Sequence, residues 1–299
     1  MPHIATLICN PDCSHTGLDV MAAITKTLPN AGALHWLHPH LAAEVRFHPN
    51  SGETLSGLRE RALAAVPGQK VDIILQKAGA TRIKRLLIAD MDSTMIGQEC
   101  IDELADFAGV KAQVSAITER AMRGEIEFEP ALRERVALLK GMATAIVDEV
   151  IDKRIYLTPG ARTLVATMKA NGAYTALISG GFTLFTQAIA AKIGFDYHQA
   201  NRLLTEHQRF TGEVAEPILG RAAKRQALED LATARSLTLV ETLAVGDGAN
   251  DLDMITRAGL GVAYHAKPAV AAAAQASIIH NDLTALLYAQ GYHYGQFVA

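Results

Sequence analysis

Five apolar runs in the later part of the chain constrain its fold more than any other feature. They are 85–90 (RLLIAD), 173–178 (AYTALI), 241–245 (ETLAV), 259–263 (GLGVA) and 276–280 (ASIIH). Several end in polar or glycine-rich turns, and stretches of helical character at 160–170, 182–193, 219–234 and 250–257 alternate with them. Apolar strands that alternate with helices predict an α/β fold, a doubly wound parallel sheet covered on both faces. In such a sheet ligands bind outside the carboxyl ends of the strands. The first run ends on Asp90, at such an end.

Two regions depart from this alternation. Residues 97–158 offer only helical periodicity. Ile101, Leu104, Ala105 and Ala108 share one face, and Phe128, Leu132, Val136 and Leu139 share another, with Pro130 near its start and Gly141 at its end. This segment is expected to be a helical cap inserted after the first strand. Residues 1–80 predict a small α+β unit in the order βαββαβ, with strands at 4–9, 33–36, 42–48 and 71–76 and helices at 17–28 and 53–66. The polar stretch 78–84 is the expected junction to the second domain, 81–299.

Composition excludes several classes. At 299 residues the chain can bury two cores. A formal net charge of −3 leaves no basic stripe for nucleic acid. No run approaches the ~20 apolar residues that span a bilayer, and MPHIATLICNPDC lacks the basic start of a signal peptide. Cys9, Cys13 and Cys100 form no CxxC pair, so a reducing cytoplasm is the expected setting.

Three strand ends carry unusual sequences: Asp90-Met-Asp92-Ser93-Thr94, Ser179-Gly180-Gly181 and Gly246-Asp247-Gly248-Ala249-Asn250-Asp251. Singly, each has an ordinary explanation as a helix cap or a turn. Together, on one edge of one parallel sheet, they place Asp90, Asp92 and Asp247 where oxygen ligands converge. Such a set suits Mg²⁺, which takes one or two carboxylates plus a phosphate. The helix start after Ser179-Gly180-Gly181 offers backbone N–H groups and a hydroxyl to a phosphate. Lys224 points along the apolar face of its helix, towards these acids, while Arg225 points away. In the cap, Arg135 lies on the inward face. Periodicity alone leaves it either gripping a substrate carboxylate or pairing with Glu134 or another local acid. The cluster His35-Trp36-Leu37-His38-Pro39-His40 reads as an exposed turn rather than a metal site.

In motif order, the chain resembles the haloacid dehalogenase superfamily of phosphotransferases. The resemblance rests on DMDSTMIGQECIDELA, the RERV segment around Arg135, ISGGF, Lys224, ANRL (200–203) and VGDGANDLDM, and covers roughly 84–299. It is closest to the members that act on a small phosphorylated amino acid. It implies Mg²⁺-dependent hydrolysis of O-phospho-L-serine, the last step of serine biosynthesis, or of another small phosphorylated amine or amino acid. Asp90 is then the nucleophile and Asp92 the acid and base. Asp90, the main-chain carbonyl of Asp92 and Asp247 hold the metal. Ser179, Gly180 and Lys224 hold the phosphoryl oxygens, supported by Asn250 and Asp251. Glu99 and Arg135 take the substrate's amino and carboxylate groups, and Met122 and Phe128 line the pocket. Residues 1–80 are similar to ACT-like domains, which implies amino-acid binding or pairing between two subunits.

Overall fold

The computed structural model describes residues 2–12, 17–123 and 125–299. Cys13 and the side chains of Ala80 and Met122 lie outside the described residues. The N-terminal part runs β1 (His3–Cys9), α1 (Gly17–Thr25), β2 (Leu34–His38), β3 (Ala42–Phe47), α2 (Leu55–Ala64) and β4 (Val71–Lys77). Its strands form an antiparallel sheet in the order β2-β3-β1-β4.

Alternation along β4 gives this sheet two jobs. Val71, Ile73 and Leu75 pack with Val20, Met21, Ile24 and Leu58 in the domain's own core. Asp72, Ile74 and Gln76 point the other way, as a period of two requires. Ile74 joins the core of the larger domain. The buried Asp72 carboxylate accepts from the backbone N–H groups of Ile279 (2.9 Å) and Asn281 (3.1 Å) and from Asn281 Nδ2 (2.9 Å). Gln76 Nε2 donates to Ala289 O at 2.5 Å. The sheet is therefore docked by hydrogen bonds as well as by apolar contact.

The larger domain begins with β5 (Leu86–Ala89). Four cap helices follow: α3 (Cys100–Phe107), α4 (Lys111–Met122), α5 (Phe128–Ala137) and α6 (Ile146–Lys153). Then come α7 (Ala161–Ala170), β6 (Tyr174–Phe182), α8 (Thr183–Ile193), β7 (Tyr197–Asn201), β8 (Leu203–Glu206), β9 (Arg209–Val214), α9 (Arg221–Ala234), β10 (Thr242–Gly246), α10 (Leu252–Arg257), β11 (Leu260–Tyr264), α11 (Pro268–Ala273), β12 (Ala276–Ile278) and α12 (Ala285–Gln290). Among the described residues a six-stranded sheet has the order β12-β11-β10-β5-β6-β7, with parallel pairing throughout. Leu87, Ala89, Leu177, Leu243 and Val245 fill one side. Leu86, Ile88, Ala176, Ile178 and Ala244 fill the other. Burial on both faces is why these strands read as continuous apolar runs.

The cap leaves and re-enters through two adjacent crossings. Ile96 bridges to Leu157, Gly97 N donates to Tyr156 O (3.2 Å), and Thr158 N donates to Met95 O (3.0 Å). On its far side the cap meets the β8–β9 hairpin. Gly141 N donates to Phe210 O (2.8 Å), Phe210 N to Met142 O (2.9 Å) and Thr144 N to Gln208 O (2.9 Å).

Two expectations need correction, and one segment without an expectation takes a structure. The second apolar run does not stop at 178: β6 continues through Ser179-Gly180-Gly181 to Phe182, and its pairing with β7 shifts register between Ile178 and Phe182. The segment 197–214, unassigned from sequence, supplies the edge strand and the hairpin. The histidine cluster is a turn only in part: Pro39 and His40 form an exposed turn, but the expected strand extends to His38, whose Nδ1 is 2.9 Å from the Tyr288 hydroxyl and whose ring stacks on Tyr294 at 4.1 Å.

Candidate active site

Asp90 extends the sheet by one residue, donating its N–H to Val245 O at 3.0 Å. The chain then coils tightly over Met91–Met95, with Ser93 in the left-handed region at φ 52°. This coil separates the two acids. Asp90 is buried; its Oδ1 accepts from Met91 N at 2.7 Å, and its Oδ2 lies 2.6 Å from Lys224 Nζ. Asp92 turns towards the cap, where its Oδ1 accepts from Cys100 N at the start of α3 (3.2 Å). Burial, and then the charge of Glu99, push the Asp92 carboxyl up to about 7. A group poised there can both give and take a proton near neutrality.

Lys224 emerges from the first turns of α9 with its ammonium 2.6 Å from both Asp90 and Asp251. Burial alone would discharge it, but the two carboxylates outweigh that and hold it protonated. Asp251 is oriented by Gly248 N (3.0 Å), Asp247 by Thr94 Oγ1 (3.1 Å), and Asn250 Nδ2 lies 3.4 Å from Asp90 Oδ2. Carboxylate oxygens of Asp90, Asp247 and Asp251 lie within 4.8 Å of one another. Their pooled negative charge exceeds what one lysine cancels. Burial and the Asp251 charge raise Asp90 well above the carboxylate range and Asp247 to about 6. An all-oxygen set with surplus negative charge fits a hard divalent cation.

Ser179, Gly180 and Gly181 occupy the register shift of β6, a local bulge that aims them at this site. Ser179 Oγ accepts from Gly181 N at 2.9 Å. A Cβ at Gly181 would fall 2.9 Å from Asp92 Oδ2 and 3.1 Å from Ser179 Oγ, so any side chain there displaces the second acid or the serine. One organising residue escaped the sequence reading. Asn201, 2% exposed, donates through Nδ2 to Gly180 O (2.8 Å) and Leu219 O (3.2 Å) and accepts from Leu219 N (2.6 Å). It ties the Ser-Gly-Gly bulge to the segment that leads into α9. The segment ANRL contains it, but its partners lie 18 and 21 residues away. Asn201→Ala leaves buried backbone groups unpaired. It is expected to lower stability by about 3 kcal/mol, read from urea denaturation.

The cap supplies the rest. Glu99 Oε1 accepts from Ser93 Oγ at 2.7 Å. Arg135 donates Nε to Ala131 O at 3.2 Å. Glu134, its candidate local partner, pairs instead with Arg120 at 2.9 Å. Among the described residues no carboxylate forms an ion pair with Arg135, whose nearest charges are Asp102 and Glu99. Phe128 lies across the two glycines of the mouth: a Cβ at Gly180 would be 3.6 Å, and one at Gly220 3.5 Å, from its ring. Met122 belongs to α4, with its side chain outside the described residues.

The haloacid dehalogenase-like hydrolase family profile matches residues 87–256. The chain is 39% identical to a Streptomyces coelicolor phosphoserine phosphatase over 96% of its own length and 70% of that protein's. It is 40% identical to the Mycobacterium tuberculosis phosphoserine phosphatase SerB2, of which it spans 58%. A haloacid dehalogenase family hydrolase from Salmonella enterica serovar Typhi superposes with a TM-score of 0.84 at 31% identity, over 96% of this chain and 97% of that one. A substrate-bound phosphoserine phosphatase superposes with a TM-score of 0.64 at 41% identity, over 69% of this chain and 97% of its own. Motifs, sheet order, cap and relatives agree that the chain belongs to the haloacid dehalogenase-like hydrolases and, within them, to the phosphoserine phosphatases.

Proposed function

We propose that the protein hydrolyses O-phospho-L-serine to L-serine and phosphate in two steps. The observation that carries this reading is the division of labour between two aspartates two residues apart. Asp90 is buried in contact with Lys224 and Asn250, whereas Asp92 makes no ion pair with the lysine among the described residues and its carboxyl is pushed up to about 7. Asp90 attacks phosphorus, the bond from phosphorus to the serine oxygen breaks, and Asp92 gives its proton to that oxygen. A water then attacks the aspartyl phosphate, Asp92 takes its proton, and Asp90 is restored as phosphate leaves. Ser179, the Gly180 N–H and Lys224 hold the phosphoryl oxygens throughout.

Mg²⁺ would be held by Asp90, the Asp92 carbonyl and Asp247. When bound it supplies positive charge against the phosphoryl group. Chelation with EDTA is expected to abolish turnover and Mg²⁺ to restore it. Added Mg²⁺ should also raise the melting temperature, since it relieves repulsion among Asp90, Asp247 and Asp251. Calcium restoring full activity would contradict the choice of metal.

Substrate choice falls to the cap. The guanidinium of Arg135, in no ion pair among the described residues, takes the substrate carboxylate, and Glu99 takes the ammonium. Arg135→Ala is expected to raise KM for phosphoserine roughly 10- to 150-fold, the range for a hydrogen bond to a charged group. An unchanged KM would shift the substrate to a phosphorylated amine without a carboxylate. Pairing of two copies through the N-terminal domain is the further proposal for that region, checked by sedimentation of the full chain. A monomer at micromolar concentration would refute it.

A further inference from the structure

Where β5, β10 and β11 begin, at the opposite edge of the sheet from Asp90, the N-terminal unit and the larger domain enclose a cleft of about 580 Å³. That is the size of a small-ligand site. Four of its lining side chains are cationic, Arg59, Lys77, Arg82 and Lys84, and no lining side chain among the described residues is acidic. Leu55, Leu75 and Leu260 give it apolar walls.

Two of the cations are incompletely satisfied. Arg82 directs its terminal nitrogens at Glu44, yet its Nε is buried without an acceptor. Lys84 is 4% exposed, and its ammonium, which carries three donors, makes one hydrogen bond among the described residues, to Val240 O at 2.7 Å. The nearby Glu241 is engaged elsewhere, accepting from Thr238 N and Thr238 Oγ1 at 2.9 Å each. Burial, and then the Arg82 charge, lower the Lys84 ammonium to about 8. Buried lysines are normally paired. Here Lys84 lines the cleft, and no carboxylate among the lining residues pairs with it.

We propose that this cleft binds a small organic anion. Its carboxylate or phosphate group sits on Lys84, with Arg59 and Lys77 at the rim, and its apolar body lies on the leucines. The site is separate from the active site: the four residues of β5 alone hold the two edges roughly 13 Å apart. The occupant touches α2 and β4 on one side and the starts of β10 and β11 on the other, and so binds the two domains together.

The test uses 8-anilinonaphthalene-1-sulfonate, an aromatic anion of this shape, titrated fluorometrically into the full-length protein. One saturable site is expected. Its affinity should fall at least about tenfold in Lys84→Met and in Arg59→Ala/Lys77→Ala, and stay unchanged in Asp90→Asn. The neutral N-phenyl-1-naphthylamine should bind at least about tenfold more weakly. Butyrate and inorganic phosphate, at constant ionic strength, identify the head group by which displaces the probe at lower concentration. Unchanged affinity in both cleft variants, equal binding of the neutral amine, or displacement by neither anion would overturn the proposal. Should Lys84→Met fail to fold, the rim double variant carries the test, because those two side chains are not in the core.

Discussion

Asp90→Asn is expected to lower phosphate release from O-phospho-L-serine by a factor on the order of 10⁴–10⁶, the scale on which loss of a covalent nucleophile registers. Fold and stability should change little. Asparagine keeps the shape of Asp90 and can still accept from Met91 N, and Lys224 retains Asp251 as a partner at 2.6 Å. The measurement is single-turnover kinetics alongside a thermal melt. A variant that turns over at the parent rate would remove Asp90 as the attacking group. A variant that melts far below the parent would show that Asp90 is mainly a structural ion.

The second large effect is expected at Lys224. Its side chain is 1% exposed between two carboxylates that are themselves buried. Lys224→Met leaves Asp90 and Asp251 facing each other without a cation. Removing one member of a buried ionic group typically costs about 3–5 kcal/mol. Stability should fall by that amount in metal-free buffer. Turnover, assayed below the lowered melting temperature, should fall on the order of 10²–10³-fold through loss of a fixed charge on the phosphoryl group. A loss of activity with no loss of stability would mean that the two aspartates share a proton in place of the lysine.

Much of this site is legible in the sequence because Asp90 and the Asp247 loop each follow a strand whose apolar run is unmistakable. Leu86–Ala89 and Thr242–Gly246 are buried at every position, so no alternation obscures them. The inward aim of Lys224 follows from its spacing to Ala227 and Leu228, which are also buried. The strands of 197–214 were illegible for the opposite reason. Tyr197–Asn201 is an edge strand with exposed positions, and Arg209–Val214 carries polar residues to the surface. Asn201 has no periodic signature at all, since its role lies in three backbone partners brought together by the fold. His38 sits one residue before the exposed Pro39–His40 turn, and only the distant Tyr288 and Tyr294 give its ring a place.

The cap is held from two directions with different consequences. Its crossings at Met95–Gly97 and Tyr156–Thr158 adjoin the loop that carries Asp90 and Asp92, and the hairpin grips it at 141–144. That hairpin closes at its base, where Ala215 N donates to Arg202 O at 2.8 Å, one residue beyond Asn201. Widening the mouth as a simple flap would therefore cost the bonds between 141–144 and 208–210. To admit a substrate, the cap either breaks its bonds to 208–210 or carries the hairpin with it as a single body pivoting at two places. In the second case the pivot at 202–215 pulls on Asn201, and through it on the Gly180 carbonyl. Entry at the rim and the shape of the Ser179–Gly181 bulge are then mechanically one event.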